Sequence, residues 1–494
     1  MKMRYPILLG LLCCSFCRLS AQDTLQLSLK GVIDMAQAAA PDVKIAETAL
    51  NNSFWRYQSF LSNYKPQISI GSTLPNLNRA IEAITLPDGR DAFINRALMR
   101  NSVNLSLEQD IALTGGSIFA TTGIQRIDIF KSDTNPGSVS YLSTPVAVGF
   151  QQPLFTFNPL RWDKRIQPLV YQESQRIYSE GLEDVAFQAA ALFFDVLVAQ
   201  LNQEAARRDK ADADTLLEIS RGRFEVGRIA ETELLQIELN AMNADASVAE
   251  SQLNLQTSTE RLRNFLGIRR AVYFELDPPS SLPGFDINPE QAIQYARMNR
   301  SENIGFNRQL LEAERDVAEA KGNSGLSVNL NGSFGLSQTG GTVGDAYVSP
   351  LDQEQLRLGI TLPVADWGKA RSQLEIAKSN QELVQLQVEQ ERINFEREVL
   401  IKVQQFGLQR DQVRLAVRAY DVAQKRLDMT RKRYRIGKIL VTDLNIAISE
   451  EANARRSYIN ALRTFWLAYY DLRRLSLYDF EADRPLLRQV EPKR

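Results

Sequence analysis

The chain has no histidine and almost no cysteine, and these two absences exclude most enzyme mechanisms. Histidine, which is missing from all 494 residues, is the commonest general base and the commonest ligand of transition metals. The three cysteines (Cys13, Cys14 and Cys17) lie in an N-terminal segment that we expect to be removed, so the mature chain has no disulfide and no thiolate nucleophile. A Gly-rich loop ending in Lys-Ser or Lys-Thr, which would bind nucleotide phosphates, is also missing. We therefore expect no enzyme, no cofactor and no metal site.

Long apolar runs are scarce as well. The one near the N-terminus, residues 7–14, follows two basic residues and precedes small residues that end at Ala21, which is the pattern of a secretory signal cleaved after Ala21. A retained N-terminal helix and lipidation at Cys17 are the alternatives. Because no later run is long enough for a transmembrane helix, the exported chain is either soluble or inserted as a β-barrel. A net charge of −1 leaves no basic surface for nucleic acid.

One segment of the chain occurs twice. Residues 223–234 and 433–444 share arginine, aromatic, aliphatic, glycine, cation, isoleucine, threonine, acid and leucine at the same spacing, with an offset of 210 residues (227 to 437). Residues 153–157 and 363–367 keep that offset, so neither copy has an insertion between its proline and its glycine. Insertions normally accumulate in loops, so this constant length indicates rigid helix. The sequence therefore predicts one architecture with an internal two-fold repeat.

Helical periodicity dominates both repeats. Long helices are predicted at 159–221 and 370–433, with a break around Gly227 or Gly437, and second helices follow at 232–266 and 442–470. A helix of ~60 residues extends roughly 90 Å. Helices of this length pack side by side as coiled coils rather than in a globular core.

Strand periodicity fills the segments between the helices. Residues 101–110 alternate most regularly, with apolar side chains at every second position, while 73–100 is predicted as a surface loop. The other predicted strands are 67–72, 117–130, 141–152, 326–330 and 355–362. This alternation is typical of transmembrane barrel strands, and a water-soluble antiparallel sandwich is the alternative. The hairpin at 101–130 is present in the first half only.

These patterns divide the chain into eight segments. They are a signal (1–21), N-terminal helices (22–65), strands of the first repeat (66–158), a long helical hairpin (159–268), a linker with shorter helices (269–325), strands of the second repeat (326–365), a second long helical hairpin (366–475) and a C-terminal tail (476–494).

The whole mature chain resembles the TolC-type outer-membrane efflux proteins. The resemblance depends on the two glycine turns, the proline-marked passages from strand to helix and the repeat itself. It implies an α+β membrane protein in which a homotrimer forms one 12-stranded barrel, with four strands from each chain, continued by a periplasmic coiled-coil tunnel. With the hairpin at 101–130 inside the barrel, a trimer would have 18 strands instead.

The function implied by this resemblance is that of a passive exit duct in the outer membrane. Small molecules would be exported by a tripartite efflux pump whose inner-membrane transporter supplies the energy. A periplasmic adaptor protein would dock on the tips of the helical hairpins, which here are Phe224, Val226, Gly227, Ile436 and Gly437. Type I protein secretion through the same duct and a non-transporting scaffold that spans the periplasm are the alternatives.

The resemblance also implies a gate at these tips. Tyr434 matches a tyrosine that holds the tunnel closed with an acid of the neighbouring tip, and Thr232 and Glu233 match the threonine-acid pair there. Asp443 matches an aspartate whose three copies form a ring at the constriction, which would concentrate cations.

Two positions of the gate depart from the best-known member of this family. Ile439 and Ile446 stand where that member has a gating arginine and a second acid ring, so we expect a less ionic, partly hydrophobic gate. The simpler interpretation is that Glu233 and Asp443 are first-turn acids that stabilise helix N-termini, with Thr232 or Thr442 nearby as a cap.

Aromatic residues mark both passages from strand to helix. Phe155, Phe157, Trp162 and Trp367 are expected either to form an interfacial aromatic belt or to pack in a core at the junction of barrel and helices.

Overall fold

A computed structural model describes residues 24–85, 89–131, 136–279, 282 and 284–488 of the chain. The predicted signal, with its cleavage site and its three cysteines, lies outside these residues, as does the end of the predicted tail (489–494). Within the described ranges, no helix is both long and apolar enough to cross a membrane.

Most of the described chain is helical. The helices are α1 (Leu29–Ala39), α2 (Pro41–Ser62), α3 (Pro159–Glu225), α4 (Glu231–Phe265), α5 (Pro289–Asn299), α6 (Ser301–Gly322), α7 (Lys369–Arg435) and α8 (Val441–Ser476). The predicted long helices are present, and α3 and α7 both contain 67 residues. Gly222, where a break was expected to begin, lies inside α3, because a single glycine costs a helix only about 1 kcal/mol. The conserved spacing of the two repeats therefore corresponds to two helices of equal length.

The strands form one large sheet and two small ones. They are β1 (Thr24–Ser28), β2 (Gln67–Thr73), β3 (Leu77–Thr85), β4 (Asp91–Ile111), β5 (Gly116–Ile129), β6 (Ser138–Leu154), β7 (Tyr273–Asp277), β8 (Ser327–Gly340), β9 (Leu351–Thr361), β10 (Tyr478–Asp479) and β11 (Arg484–Pro485). The large sheet has the order β2-β4-β5-β6-β8-β9, and β3 pairs with β4 beyond the end of β2. Each of its ladders is antiparallel. β7 lies within the segment predicted as a linker and pairs in parallel with β1, which lies at the start of the segment predicted as N-terminal helices.

The register of the large sheet separates apolar from polar side chains. One ladder row contains Ile68, Leu107, Ala120, Val148 and Phe334 across five strands and ends at Glu354 on β9. Other members of this apolar face are Ile70, Leu105, Val146, Phe150, Leu356, Leu358 and Ile360, and each of these seven is at least 38% exposed. The opposite polar face has Gln67, Ser69, Ser106, Glu108, Thr121, Asn331, Ser333, Gln353, Gln355 and Arg357. The described residues leave this broad apolar face uncovered.

Two strand predictions were wrong. Residues 73–100 are not a surface loop, since most of them form β3 and the first half of β4, which pair along nine positions from Leu77–Met99 to Thr85–Asp91. Four strands per chain is also incorrect, because β4 and β5 are inserted between β2 and β6 and give six strands in one continuous order. The described residues of one chain form an open sheet, so the predicted trimeric barrel stays a prediction.

The chain divides into two compact units that do not follow the predicted segments. One contains the residues up to Ile45 together with Gly181–Ile287 and Lys402–Arg474, and the other contains Ala46–Glu180, Asn288–Ile401 and the residues from Leu475 onward. Four of the five boundaries fall inside α2, α3, α7 and α8, and the fifth lies just before α5, because long helices contribute residues to more than one compact unit.

Each unit has its own means of stabilisation. In the first unit, fully buried aromatic and aliphatic side chains line α3, α7 and α8, and the rings of Phe406 and Phe465 stack at 5.1 Å. In the second unit, Glu180 accepts hydrogen bonds from the Ser301 backbone N–H (2.7 Å) and hydroxyl (3.1 Å), which satisfies the first turn of α6. The first arrangement packs α7 against α8, and the second holds the start of α6 against α3.

Candidate functional site

The first helical hairpin turns at a glycine with left-handed backbone geometry. Gly227 has φ +67°, a conformation that costs residues with a Cβ atom about 1–2 kcal/mol. Its N–H donates to the carbonyl of Phe224 (2.8 Å), and the N–H of Arg228 donates to the carbonyl of Arg223 (2.8 Å). These two bonds close the end of α3 in the pattern of a Schellman motif. We call residues 224–230 the first tip turn.

The second hairpin turns in the same way. Gly437 has φ +73°, its N–H donates to the carbonyl of Tyr434 (2.9 Å), and the N–H of Lys438 donates to the carbonyl of Arg433 (3.0 Å). We call residues 434–440 the second tip turn. The repeated sequence thus specifies the same backbone turn twice.

Side chains at equivalent positions of the two turns have opposite environments. Tyr434 is 1% exposed, whereas its repeat counterpart Phe224 is 40% exposed. Arg223 is half-buried, whereas its counterpart Arg433 is exposed. The backbone repeat is therefore symmetric, but the packing is not, because it buries Tyr434 of the second tip and half-buries Arg223 of the first tip.

The buried pair holds the two hairpin ends together. The Arg223 guanidinium lies 5.3 Å from the centre of the Tyr434 ring, within the range of a cation–π contact. It also donates to the backbone carbonyls of Arg435 (2.9 Å) and Tyr434 (3.4 Å) at the C-terminal end of α7. A cation at this position satisfies helix-end carbonyls and interacts favourably with the negative end of the helix dipole. The Tyr434 hydroxyl lies 3.3 Å from the Ser220 hydroxyl.

Tyr434 belongs to an apolar cluster that joins all four hairpin helices. The buried members are Ile237, Leu427, Tyr434, Val441, Leu444 and Ala447, and Leu216, Leu217, Ile439 and Ile448 pack against them. Burial of one large apolar side chain contributes roughly 1.5–3 kcal/mol. Any movement that separates the hairpins near their tips has to expose part of this cluster.

A cavity of about 390 Å³ next to this cluster has several polar walls. The amides of Asn240 and Asn445 join across it (3.1 Å), and Arg431 pairs with Asp212 (2.7 Å). Both contacts connect the first hairpin to the second. The packing of the tips thus combines an apolar cluster with polar cross-links, which are weaker in water than a fully apolar seam would be.

Asp209 also lines this cavity. Burial raises the pKa of its carboxyl group, and the positive charge of Arg455, 3.9 Å away, opposes the shift. Arg431 and Arg208 lower this pKa as well, whereas Asp212 raises it. Because burial outweighs these cations, the ionised form of Asp209 destabilises the packed tips.

This shift predicts a pH-dependent effect of Asp209→Asn on stability. A folded pKa above the unfolded value stabilises the protein below the unfolded pKa, and that contribution is lost as the pH rises through the folded pKa. The variant avoids this loss, so we expect it to melt above the wild type at pH 8, with a smaller difference near pH 4. Thermal melts at both pH values check this. Asp214→Asn, an exposed position on the same helix, is the control, and a variant that melts below the wild type at pH 8 would contradict the argument.

The predicted gate acids occupy the first turns of their helices. Glu233 is half-buried in the first turn of α4, and Asp443 is exposed in the first turn of α8. In this chain the hydroxyl of Tyr434 contacts Ser220 and not Glu233. Thr232 is not the cap of α4, since the helix begins at Glu231 after Ala230, which provides no side-chain cap. Both acids therefore fit the helix-stabilising interpretation, which leaves room for a second role.

The two isoleucines that depart from the resembled gate differ in environment. Ile439 is half-buried against the apolar cluster, whereas Ile446 is 46% exposed. Ile439 contributes to tip packing, and Ile446 is available for contacts outside this chain.

The predicted docking residues present apolar side chains at the tips. Val226 is 69% exposed and Ile436 is 65% exposed, and both flank a turn glycine. Phe224 is exposed beside Val226. Two of these exposed apolar side chains, Phe224 and Val226, lie on the first tip turn, and Ile436 lies on the second.

The aromatic residues at the passages from strand to helix do not share one environment. Phe155 and Trp367 are 72% and 98% exposed and have positive φ angles of 63° and 55°. Phe157 and Trp162 are half-buried, and the Trp162 ring lies 4.9 Å from the Arg165 guanidinium. Exposure of this degree excludes core packing within the chain for Phe155 and Trp367.

Sequence patterns did not reveal the residues that connect the hairpins. Arg223 was part of the repeated segment but was assigned no role, and Ser220, Asn240 and Asn445 were not considered. The available signal was the repeat itself, because it gives Arg223 a counterpart in Arg433. No periodicity shows which of two equivalent arginines is buried.

Comparison with known proteins identifies the class to which this architecture belongs. The sequence pattern of the family described as "Outer membrane efflux protein" matches residues 118–268 and 306–476, which is more than half of the chain. No curated protein matches the chain.

Several solved outer-membrane proteins have the same fold. CmeC of Campylobacter jejuni, described as an outer membrane channel, has a TM-score of 0.65 at 18% identity, covering 91% of this chain and 85% of its own. MtrE of Neisseria gonorrhoeae, an outer membrane channel in its open state, has a TM-score of 0.61 at 16% identity, with coverage of 91% and 88%. VceC of Vibrio cholerae has a TM-score of 0.62 at 13% identity, with coverage of 91% and 95%. At these identities the likeness concerns the fold.

The matched segments include both tip turns, the helices on either side of them and much of the large sheet. This family consists of outer-membrane efflux channels and not of enzymes. The chain belongs to the outer membrane efflux protein family, and its place is the outer membrane.

Proposed function

We propose that this protein is the outer-membrane exit duct of a tripartite efflux pump and passively exports small molecules. The observation that carries the proposal is the two-faced sheet. Its apolar face is uncovered, as lipid contact requires, and its polar face has the serine, asparagine and glutamine side chains that suit a water-filled lumen. A water-soluble sandwich would bury that apolar face under a second sheet.

The homotrimer is part of this proposal. Lipid does not tolerate the unpaired N–H and C=O groups of an open sheet edge, so several copies must close one barrel around an axis. In that arrangement the exposed Phe155 and Trp367 lie at the membrane boundary, where aromatic side chains are enriched.

The tips are the proposed gate and docking site. Val226, Ile436 and Phe224 would receive a periplasmic adaptor protein, which connects the duct to an inner-membrane transporter. Asp443 would form a ring of three carboxylates at the constriction, with Thr232, Glu233, Tyr434, Ile439 and Ile446 around it. The buried Arg223–Tyr434 contact supports a closed resting state, because opening has to break it.

Single-channel recording from the purified protein in planar bilayers tests the duct and the carboxylate ring together. We expect small cation-selective openings, and we expect Asp443→Asn to reduce the selectivity because it removes three charges from the narrowest point. Glu231→Gln is the matched control, since it removes another exposed first-turn acid of a hairpin helix and should leave the selectivity unchanged.

The other outcomes decide between the alternatives. If Asp443→Asn channels have the same selectivity as the wild type, the protein is still a duct, but Asp443 has only its helix-stabilising role. A protein that conducts under no condition, even with the tips destabilised by Tyr434→Ala, would favour the periplasm-spanning scaffold. Loss of protein secretion rather than of drug resistance in a deletion strain would favour type I secretion.

A further inference from the structure

The large sheet ends in two strands whose outer edges are unpaired among the described residues. β2 and β9 are the terminal strands of the order β2-β4-β5-β6-β8-β9. β3 continues the β2 edge, because β2 and β3 both pair with β4 on the side away from β5. Unpaired backbone groups along these edges are a template for another strand.

The hairpin of β4 and β5 is an integral part of this sheet. β4 pairs with β2 from Gln67–Glu108 to Thr73–Ser102, and it pairs with β5 from Leu98–Ile129 to Ile111–Gly116. β5 in turn pairs with β6 over almost its whole length. A hairpin attached outside a four-stranded sheet would leave β2 paired with β6, which is not the observed order.

Side-chain hydrogen bonds connect the turn between β4 and β5, and the end of β4 before it, to the ends of two helices. Asn158, next to the start of α3, donates to the carbonyl of Ala112 (2.9 Å). Gln109 donates to the carbonyl of Tyr64, just after α2 (2.8 Å). The hairpin is therefore held at both sides by its ladders and at its base by side-chain hydrogen bonds.

The two sheet edges match each other in direction. Every ladder between them is antiparallel, and the path contains an even number of strands, so β2 and β9 run in opposite directions. When the β9 edge of one copy meets the β2 edge of the next, the new ladder is antiparallel, like all the others.

The two edges also match in their side chains. Ile68 and Ile70 of β2 lie on the same face as Leu356 and Leu358 of β9, while Ser69 lies with the polar residues. On β9 those polar residues are Gln353, Gln355 and Arg357. A joint between copies therefore continues the polar face and, along Leu356, Leu358 and Ile360 of β9, the apolar face. Asp352 and Glu354 are the charged residues on the apolar side of β9.

We propose that β9 of each chain pairs with β2 of the next copy and that every chain contributes six strands, so that the trimer closes an 18-stranded barrel. The inference rests on the trimeric barrel of the proposed function and names the surface that builds it. The diameter of a barrel grows about linearly with strand number. An 18-stranded barrel is thus about half as wide again as the 12-stranded one that the family resemblance implied. Barrels of 16–18 strands hold an aqueous channel, which agrees with the polar inner face.

A cysteine pair within one chain tests whether the hairpin is in the barrel. The Ser69 and Ser106 hydroxyls of β2 and β4 lie 2.9 Å apart on the polar face, so Ser69→Cys/Ser106→Cys should form an intrachain disulfide in membranes under mild oxidation. Ser69→Cys/Ser333→Cys has its second cysteine on β8, several strands away, and should not. Each single variant reports any background from Cys13, Cys14 and Cys17.

A second set of pairs tests the joint between copies. Ser69→Cys is combined with Gln353→Cys, Gln355→Cys or Arg357→Cys, and we expect at least one pair to give covalent dimers and trimers but nothing larger. Ser69→Cys/Ala147→Cys has its second cysteine on β6, in the ladder row of Ser69. Formation of this disulfide in a folded trimer, with failure of the Ser69–Ser106 disulfide, would overturn the six-strand barrel. Joint pairs that all fail while Ser69–Ser106 forms would overturn the β9–β2 joint. Drug efflux by the reduced variants separates either result from failure of the proposed function.

Discussion

Replacing Tyr434 with alanine is expected to open the duct and to destabilise the tips. The Tyr434 ring is 1% exposed and is enclosed by Ile237, Leu444 and the rest of the apolar cluster, so its removal leaves a cavity. Large-to-alanine changes of a buried aromatic residue cost about 3–5 kcal/mol. Because the cluster joins the two hairpins, that loss weakens the packed arrangement of the tips. We expect a larger single-channel conductance and a higher open probability in planar bilayers.

Two matched variants separate the ring from the hydroxyl and from the position in the repeat. Tyr434→Phe keeps the ring and loses only the 3.3 Å contact with the Ser220 hydroxyl, so it should stay close to the wild type, at a cost of about 1 kcal/mol. Phe224→Ala removes the repeat counterpart, which is exposed, and should leave the conductance unchanged. A wild-type conductance in Tyr434→Ala, or an equal increase in Phe224→Ala, would refute the role of the buried ring.

The sequence was sufficient to predict the long helices and the turns that join them. A strict offset of 210 residues between Gly227 and Gly437 corresponds to two helices of equal length that end in the same motif. Glycine at those positions has a physical reason, since both have positive φ. Backbone preferences of this kind depend on the local sequence, so they can be predicted without a structure.

The asymmetry of the tips could not be predicted in the same way. Tyr434 and Phe224 occupy equivalent positions, and so do Arg223 and Arg433. Tyr434 is buried and Arg223 is half-buried, whereas their counterparts are exposed. The choice depends on how the two hairpins pack against each other, which is a tertiary effect. Propensity and periodicity act within a few residues and carry no information about it.

The strands of the first half were underestimated for a related reason. At 101–110 one face is apolar and the other polar, so the alternation is regular and the strand was predicted. Before residue 101 the alternation fails, because Ala97, Leu98 and Met99 are consecutive apolar residues. β3 and the first half of β4 are instead defined by their pairing with each other, and pairing between distant residues leaves a weak local signal. The number of strands in the sheet therefore required the structure.

Replacing Arg223 with alanine is expected to have the second large effect at the tips. The guanidinium group satisfies the carbonyls of Tyr434 and Arg435 at the end of α7 and lies against the Tyr434 ring. A hydrogen bond to a charged group contributes about 1.5–3 kcal/mol, and the cation–π contact adds about 0.5–1 kcal/mol. Its loss should raise the open probability in planar bilayers and speed proteolysis at the second tip turn. Arg433→Ala removes the exposed counterpart and should change neither quantity.

A double-mutant cycle shows whether Arg223 and Tyr434 hold the two hairpin ends together as a coupled pair. If they do, Arg223→Ala should have a smaller effect once Tyr434→Ala has removed the ring, because the cation–π contact is gone while the hydrogen bonds to the backbone carbonyls remain. Non-additivity of 0.5–3 kcal/mol is typical of residues in direct contact. Arg223→Lys adds a second criterion, since an ammonium group keeps the charge but lacks the planar fork that reaches two carbonyls. It should lie between wild type and alanine, whereas full recovery with lysine would mean that Arg223 acts only through its charge. Strictly additive effects in the cycle would mean that Arg223 acts independently of the Tyr434 ring.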